Sequence, residues 1–181
     1  MGHTHFISAD WEERSSQLLL YLADRLEDDA NFSMTKVYKL FYFIDKEAYL
    51  RTGSTVTGSS YLRFDHGPVP RNLHKLRAKL EDTGAVEIVY VDRGKYTQHR
   101  LRAWQRPQLR FSEDEMTIID QVIERLRPMT AKKVSDLSHE EPGWKLAGDG
   151  EVIPHEAWCV DEQPTVLTPE LESWARSVIN R

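Results

Sequence analysis

One cysteine, Cys159, is all the 181-residue chain contains, so no disulfide closes within it, and that suits a reducing compartment. Its longest apolar run, Leu18 to Ala23, is far too short to span a bilayer. The opening residues MGHTHFISAD have no basic start followed by an apolar core, so they do not read as a secretory leader. A cytoplasmic protein without membrane insertion is expected. Basic charge is also in deficit: Lys and Arg number 24 against 29 Asp and Glu, a net charge of -5. A domain that binds mainly by neutralising phosphates needs the opposite excess. No phosphate loop is present either, because GSTVTGSS at 53–60 has glycines but lacks the lysine and opens no helix.

Catalytic groupings are missing as well. None of the seven histidines, at 3, 5, 66, 74, 99, 139 and 155, sits at a zinc-ligand spacing. HEAWC at 155–159 begins like the helical zinc-protease motif, yet it lacks the second histidine and follows Pro154. Cys159 pairs on paper with His139 or His155 as nucleophile and base, but a lone cysteine reads first as a small apolar residue. Asp45 and Glu47 stand two apart on a helix and do not face each other. The residues therefore predict no catalytic set, no metal site and no cofactor.

What is present is the makeup of a packed protein: 40% hydrophobic and 29% charged residues, without repeats or low-complexity linkers. A single domain over 1–181 is expected. Leu18, Leu22 and Leu26 recur at helical spacing behind Asp10, with Glu13 three residues on, and predict a helix over 11–28. In SMTKVYKLFYFIDKEAYLRTG, Val37, Leu40, Phe41, Ile44 and Ala48 share a face, Tyr38, Tyr42 and Tyr49 lie beside it, and Gly53 stops the helix. A helix so apolar around its circumference belongs at the centre. Leu73, Leu76 and Leu80 mark a third helix, launched with Pro70 in its first turn and closed at Gly84. Alternation around Asp92, Arg93 and Gly94 predicts a β-hairpin pairing 86–91 with 95–101. Ser112 and Glu115 form a capping box ahead of Met116, Ile119, Ile123 and Leu126, and Pro128 ends that helix. Thr130 caps a shorter helix carrying Ala131, Val134 and Leu137 to about His139; 140–154 reads as loop, and Thr168 with Pro169 opens a terminal helix. The fold expected is mainly α, a compact helical domain of about five to six helices with one small antiparallel β-hairpin.

Two stretches stand out as surfaces. In FDHGPVP, 64–70, Pro68 and Pro70 exclude the residues before them from helical geometry. The turn either starts a helix and no more, or is a pre-stiffened contact in which His66, Gly67, Pro68 and Pro70 meet a partner, with Arg71 beside them to pair with an acidic group. In SHEEPGWK, His139 and Trp144 flank a bend containing Pro142 and Gly143, and Trp144 is either an interface anchor or a cover over the helices. A third reading places RNLHKLRAK in a DNA groove with DRGK as the wing of a winged helix, although any exposed helix face carries such basic residues.

Taken in order, KLFYFIDKEAYLRTG, HGPVPRNL, FSEDEMTIIDQVI, TAKKVSDLSHEEPGWK and IPHE resemble the SocA-like Panacea domain, over 36–155 with helices appended at both ends. The family often has tyrosine before Gly-Pro-Val where this chain has His66. The resemblance implies a mainly helical, non-enzymatic antitoxin of a bacterial or phage toxin–antitoxin pair, which neutralises a toxin protein by binding it directly. Some relatives deliver the toxin to a protease. The implied partners are a cognate toxin and, as a further partner, a protease or chaperone. Against this stand two alternatives, a DNA-binding regulator and an enzyme that uses His66, His139 or His155.

Overall fold

A computed structural model describes residues 10–160. The expected terminal helix at Thr168 and Pro169 lies outside them. The chain runs through α1 (Trp11–Arg25), α2 (Met34–Thr52), β1 (Tyr61–Leu62), β2 (Val69–Pro70), α3 (Leu73–Asp82), β3 (Val86–Asp92), β4 (Thr97–Ala103), α4 (Glu113–Leu126), α5 (Ala131–His139), α6 (Pro142–Leu146), β5 (Val152–Ile153) and a closing 3-10 turn, His155–Cys159. The fold is mainly α, as the periodicity predicts.

α2 is the hub. Val37, Leu40, Phe41, Tyr42, Ile44 and Ala48 are all buried, and the helix packs on α4, α5, β2 and the 3-10 turn. Because it is covered around most of its circumference, Lys36 and Lys39 are covered too. Lys36 is fully buried and donates to Asp29 at 2.7 Å and to the Arg127 carbonyl at 2.8 Å. Such a pair is tolerated where the polar atoms are matched, and breaking one costs about 3–5 kcal/mol. Buried Asp45 holds the 53–60 loop by accepting from the Thr57 amide at 2.8 Å, the Thr57 hydroxyl and the Tyr61 hydroxyl at 2.7 Å.

Several boundaries differ from the sequence reading for identifiable reasons. Pro70 does not begin α3: it sits in β2 opposite Tyr61, and the helix starts three residues later, after Asn72 turns with φ +65. Asp10 precedes α1 without a side-chain cap bond, and α1 ends at Arg25 rather than 28. The hairpin strands pair Val86 with Ala103 through Asp92 with Thr97, so Lys95 falls in the turn and the pairing extends beyond Leu101. Segment 140–154 is not all loop. Pro142 occupies the first position of α6, where its missing N–H is harmless, and Val152–Ile153 adds to β1. The result is a second sheet in the order β2-β1-β5, beyond the one hairpin expected. Gly143 permits this closure, since a Cβ there would stand 2.7 Å from Ile153 Cγ2. On α5, Leu137 is exposed while Ser135 and Ser138 are buried, because both hydroxyls find carbonyl acceptors.

Candidate functional site

The HGP turn is tied down by three separate bonds. The Gly67 amide donates to the Phe64 carbonyl at 2.8 Å, the Ser135 hydroxyl of α5 to the His66 carbonyl, and the Lys39 ammonium of α2 to the Pro68 carbonyl at 2.9 Å. Gly67 is required twice over. Its φ is +95, and a Cβ would approach Ser138 Oγ to 2.3 Å and Lys39 Nζ to 2.8 Å. Gly67, Pro68 and Pro70 are buried, whereas His66 projects outward. The segment is therefore rigid in backbone and open at one side chain.

Lys39 is the unexpected member. It is 1% exposed, its one hydrogen-bond partner among the described residues is the Pro68 carbonyl, and burial pushes its pKa from 10.5 down to about 7. His139 lies close by, its imidazole held below its ordinary value chiefly by burial and then by the neighbouring Lys39. Its Nε2 is covered and has no hydrogen-bond partner among the described residues. The other ring face of this corner is aromatic. His139 stacks on Trp144 at 4.2 Å and 22°, the Arg63 guanidinium lies 4.7 Å from the Trp144 ring, and Trp144 Nε1 donates to the Phe64 carbonyl at 3.0 Å. Trp144 is half-buried, packed against the hydrophobic core with part of its surface left open. Arg63 is fixed in turn by the small sheet, its amide donating to Glu151 at 2.9 Å and its side chain facing Asp149 at 3.7 Å.

Of the residues singled out in the sequence, His66, Gly67, Pro68, His139 and Trp144 come together at this corner. Pro70 lies along β2, and Arg71 follows with its amide on the Ser60 carbonyl and its side chain exposed. Lys39, Arg63, Phe64, Ser135 and Ser138 were not anticipated. The signal for Lys39 was available: a lysine in a helix apolar on most sides must be buried. Ser135 gave none, because its acceptor, the His66 carbonyl, is distant in sequence.

The other candidates have structural occupations. His155 stacks on Trp158 at 4.5 Å and 15°, and its Nε2 meets the Ser59 carbonyl at 3.0 Å. Cys159 is exposed. Among the described residues no group of three or more His, Cys, Asp or Glu is placed to hold a metal ion, and no helix is long and apolar enough to cross a membrane. On α3 the basic face is partly engaged, with Arg77 facing Glu81 at 3.5 Å and Lys79 facing Glu12 at 2.7 Å. At the hairpin tip Arg93 turns back to Gln98 at 2.8 Å.

A model of the family described as antitoxin SocA-like, Panacea domain, matches residues 37–145, more than half of the chain. The matched stretch contains α3, α4 and α5 whole, together with the HGP turn and Trp144. No curated protein and no solved structure matches the chain.

Proposed function

The chain belongs to the SocA-like Panacea family of antitoxin-like domains, and from that premise we propose that it neutralises a toxin protein by binding it directly, through the corner formed by His66, Gly67, Pro68, His139 and Trp144. The observation that carries the choice of surface is the triple anchoring of the turn. A backbone already held at three points loses little conformational freedom when a partner docks, so more of the contact energy appears as affinity. The stacked Trp144 supplies the rigid aromatic type found at interface centres, where truncation costs at least ~2 kcal/mol. Arg71, exposed just after β2, adds a rim charge. A specific contact of this kind covers about 1,600 Å² in total. Covering the toxin's active site or locking its shape would suffice for neutralisation, as would passing it to a protease.

Co-expression with the product of the neighbouring reading frame tests this. The parent protein restores growth and co-purifies with that product, while Trp144→Ala and His66→Ala weaken both without unfolding. Persistence of the toxin in a stable complex identifies blocking; its disappearance identifies delivery to a protease. If both variants protect cells as well as the parent, the contact lies elsewhere.

A further inference from the structure

The ionisable groups around the HGP turn are unevenly paired. On the framing segments 63–71 and 131–146, Asp136 is taken by Lys132 at 2.6 Å, Glu140 by Lys145 at 3.2 Å, and Glu141 by Lys46 of α2. Arg63 faces Asp149. What remains without an ion pair among the described residues is basic: Lys39 below the turn, His66 upon it, His139 beside it, Arg71 at its end and Lys133 exposed on α5, against one exposed acid, Asp65. This local excess runs against a chain whose net charge is -5. Phe64, 41% exposed, adjoins it and is joined through its carbonyl to Trp144.

Resting on the reading of this corner as the toxin contact, we propose that the group it receives is a carboxylate of the toxin flanked by an apolar side chain, the acid over His66 and His139 and the apolar group against Phe64 and Trp144. An acid seated there faces bases that have no ion pair of their own among the described residues. A phosphate backbone fits less well, because its repeated charges need a basic excess that a chain of net charge -5 lacks. The assignment has a consequence in protons. A docked carboxylate favours the protonated forms of Lys39 and His139, which burial holds below their ordinary values, so the complex holds more protons than its separated parts and affinity rises as pH falls.

The test is the Kd of the purified neighbouring-frame protein for the parent, His66→Gln, His66→Glu, Lys39→Met and Trp144→Ala, by calorimetry at pH 6, 7 and 8 in buffers of different ionisation enthalpy. The parent is expected to bind roughly tenfold tighter at pH 6 than at pH 8 with net proton uptake. His66→Glu weakens binding about tenfold and His66→Gln only a fewfold, while Lys39→Met flattens the pH dependence. His66 is exposed, so its variants remain informative even if Lys39→Met does not fold. Loss of binding by Trp144→Ala, with His66→Glu neutral and affinity flat in pH, overturns the carboxylate and leaves the surface standing. No effect of Trp144→Ala removes the surface itself, and this inference with it.

Discussion

At the scale of single residues the turn makes two sharp demands. Gly67→Ala introduces a Cβ 2.3 Å from Ser138 Oγ at a φ of +95, so backbone strain and a steric clash act together. The expected loss is about 2–4 kcal/mol in urea unfolding; a loss under about 0.5 kcal/mol would mean that the turn yields freely and is not pre-stiffened. Lys39 makes the second demand. The unfolded chain keeps that proton up to about pH 10.5, whereas the folded protein releases it near 7. Between those limits the unfolded state binds more protons, so this lysine makes stability rise with pH, and its full destabilising effect is felt below pH 7. Lys39→Met removes the effect along with the bond to the Pro68 carbonyl. Relative to the parent, the variant should therefore be more stable at pH 7 than at pH 9.5 by roughly 2–3 kcal/mol, read from denaturant midpoints at each pH. The same variant should raise the His139 pKa in an NMR titration, since Lys39 is the charge that most lowers it.

At the scale of elements, local chemistry predicts the ends of helices well where a side chain does the capping. Ser112 and Glu115 form the full reciprocal box, and Ser33 and Thr130 accept from the amides three residues on. Ser112→Ala is expected to destabilise by about 1 kcal/mol, a melting shift of a few degrees, and an unchanged melting curve would show that α4 is held by packing alone. The same local chemistry explains what was legible: α1, α2, α4 and α5 appear within a few residues of their expected bounds. It also explains what was not. Pro70 has the right φ for a first helical turn and for an edge strand alike, and its choice was settled by Tyr61, which stands opposite it in β1. Pro142 and Gly143 look like loop residues until β5 and the 3-10 turn pack against them, because the tight approach at Gly143 is a tertiary fact. At the site, the turn and the tryptophan were visible in the sequence as stiff and aromatic. The lysine beneath and the arginine beside them were not, since the Pro68 carbonyl and the Trp144 ring reach them only through folding.

For the molecule as a whole, the corner of interest is assembled from α2, the 63–68 segment, α5 and α6, so its shape exists only in the folded protein. A toxin that recognises that shape binds the native state and not the unfolded chain, and must raise the apparent stability by mass action. At a toxin concentration a thousandfold above Kd the gain is about 4 kcal/mol, which for a chain of this size moves the melting temperature upward by several degrees. Trp144→Ala should leave the melting temperature of the free protein within a few degrees of the parent, because the ring is half-buried and packs against the core from outside without being one of its buried members. Yet it should remove about half of the shift produced by the toxin, since a Kd raised by a factor of about 30, the cost of truncating an interface tryptophan by about 2 kcal/mol, removes that much of the mass-action gain at fixed toxin concentration. Melting curves of both proteins with and without toxin separate the two effects. A free variant that melts far below the parent would place Trp144 in the support of the fold. An equal shift for both proteins would place it outside the contact.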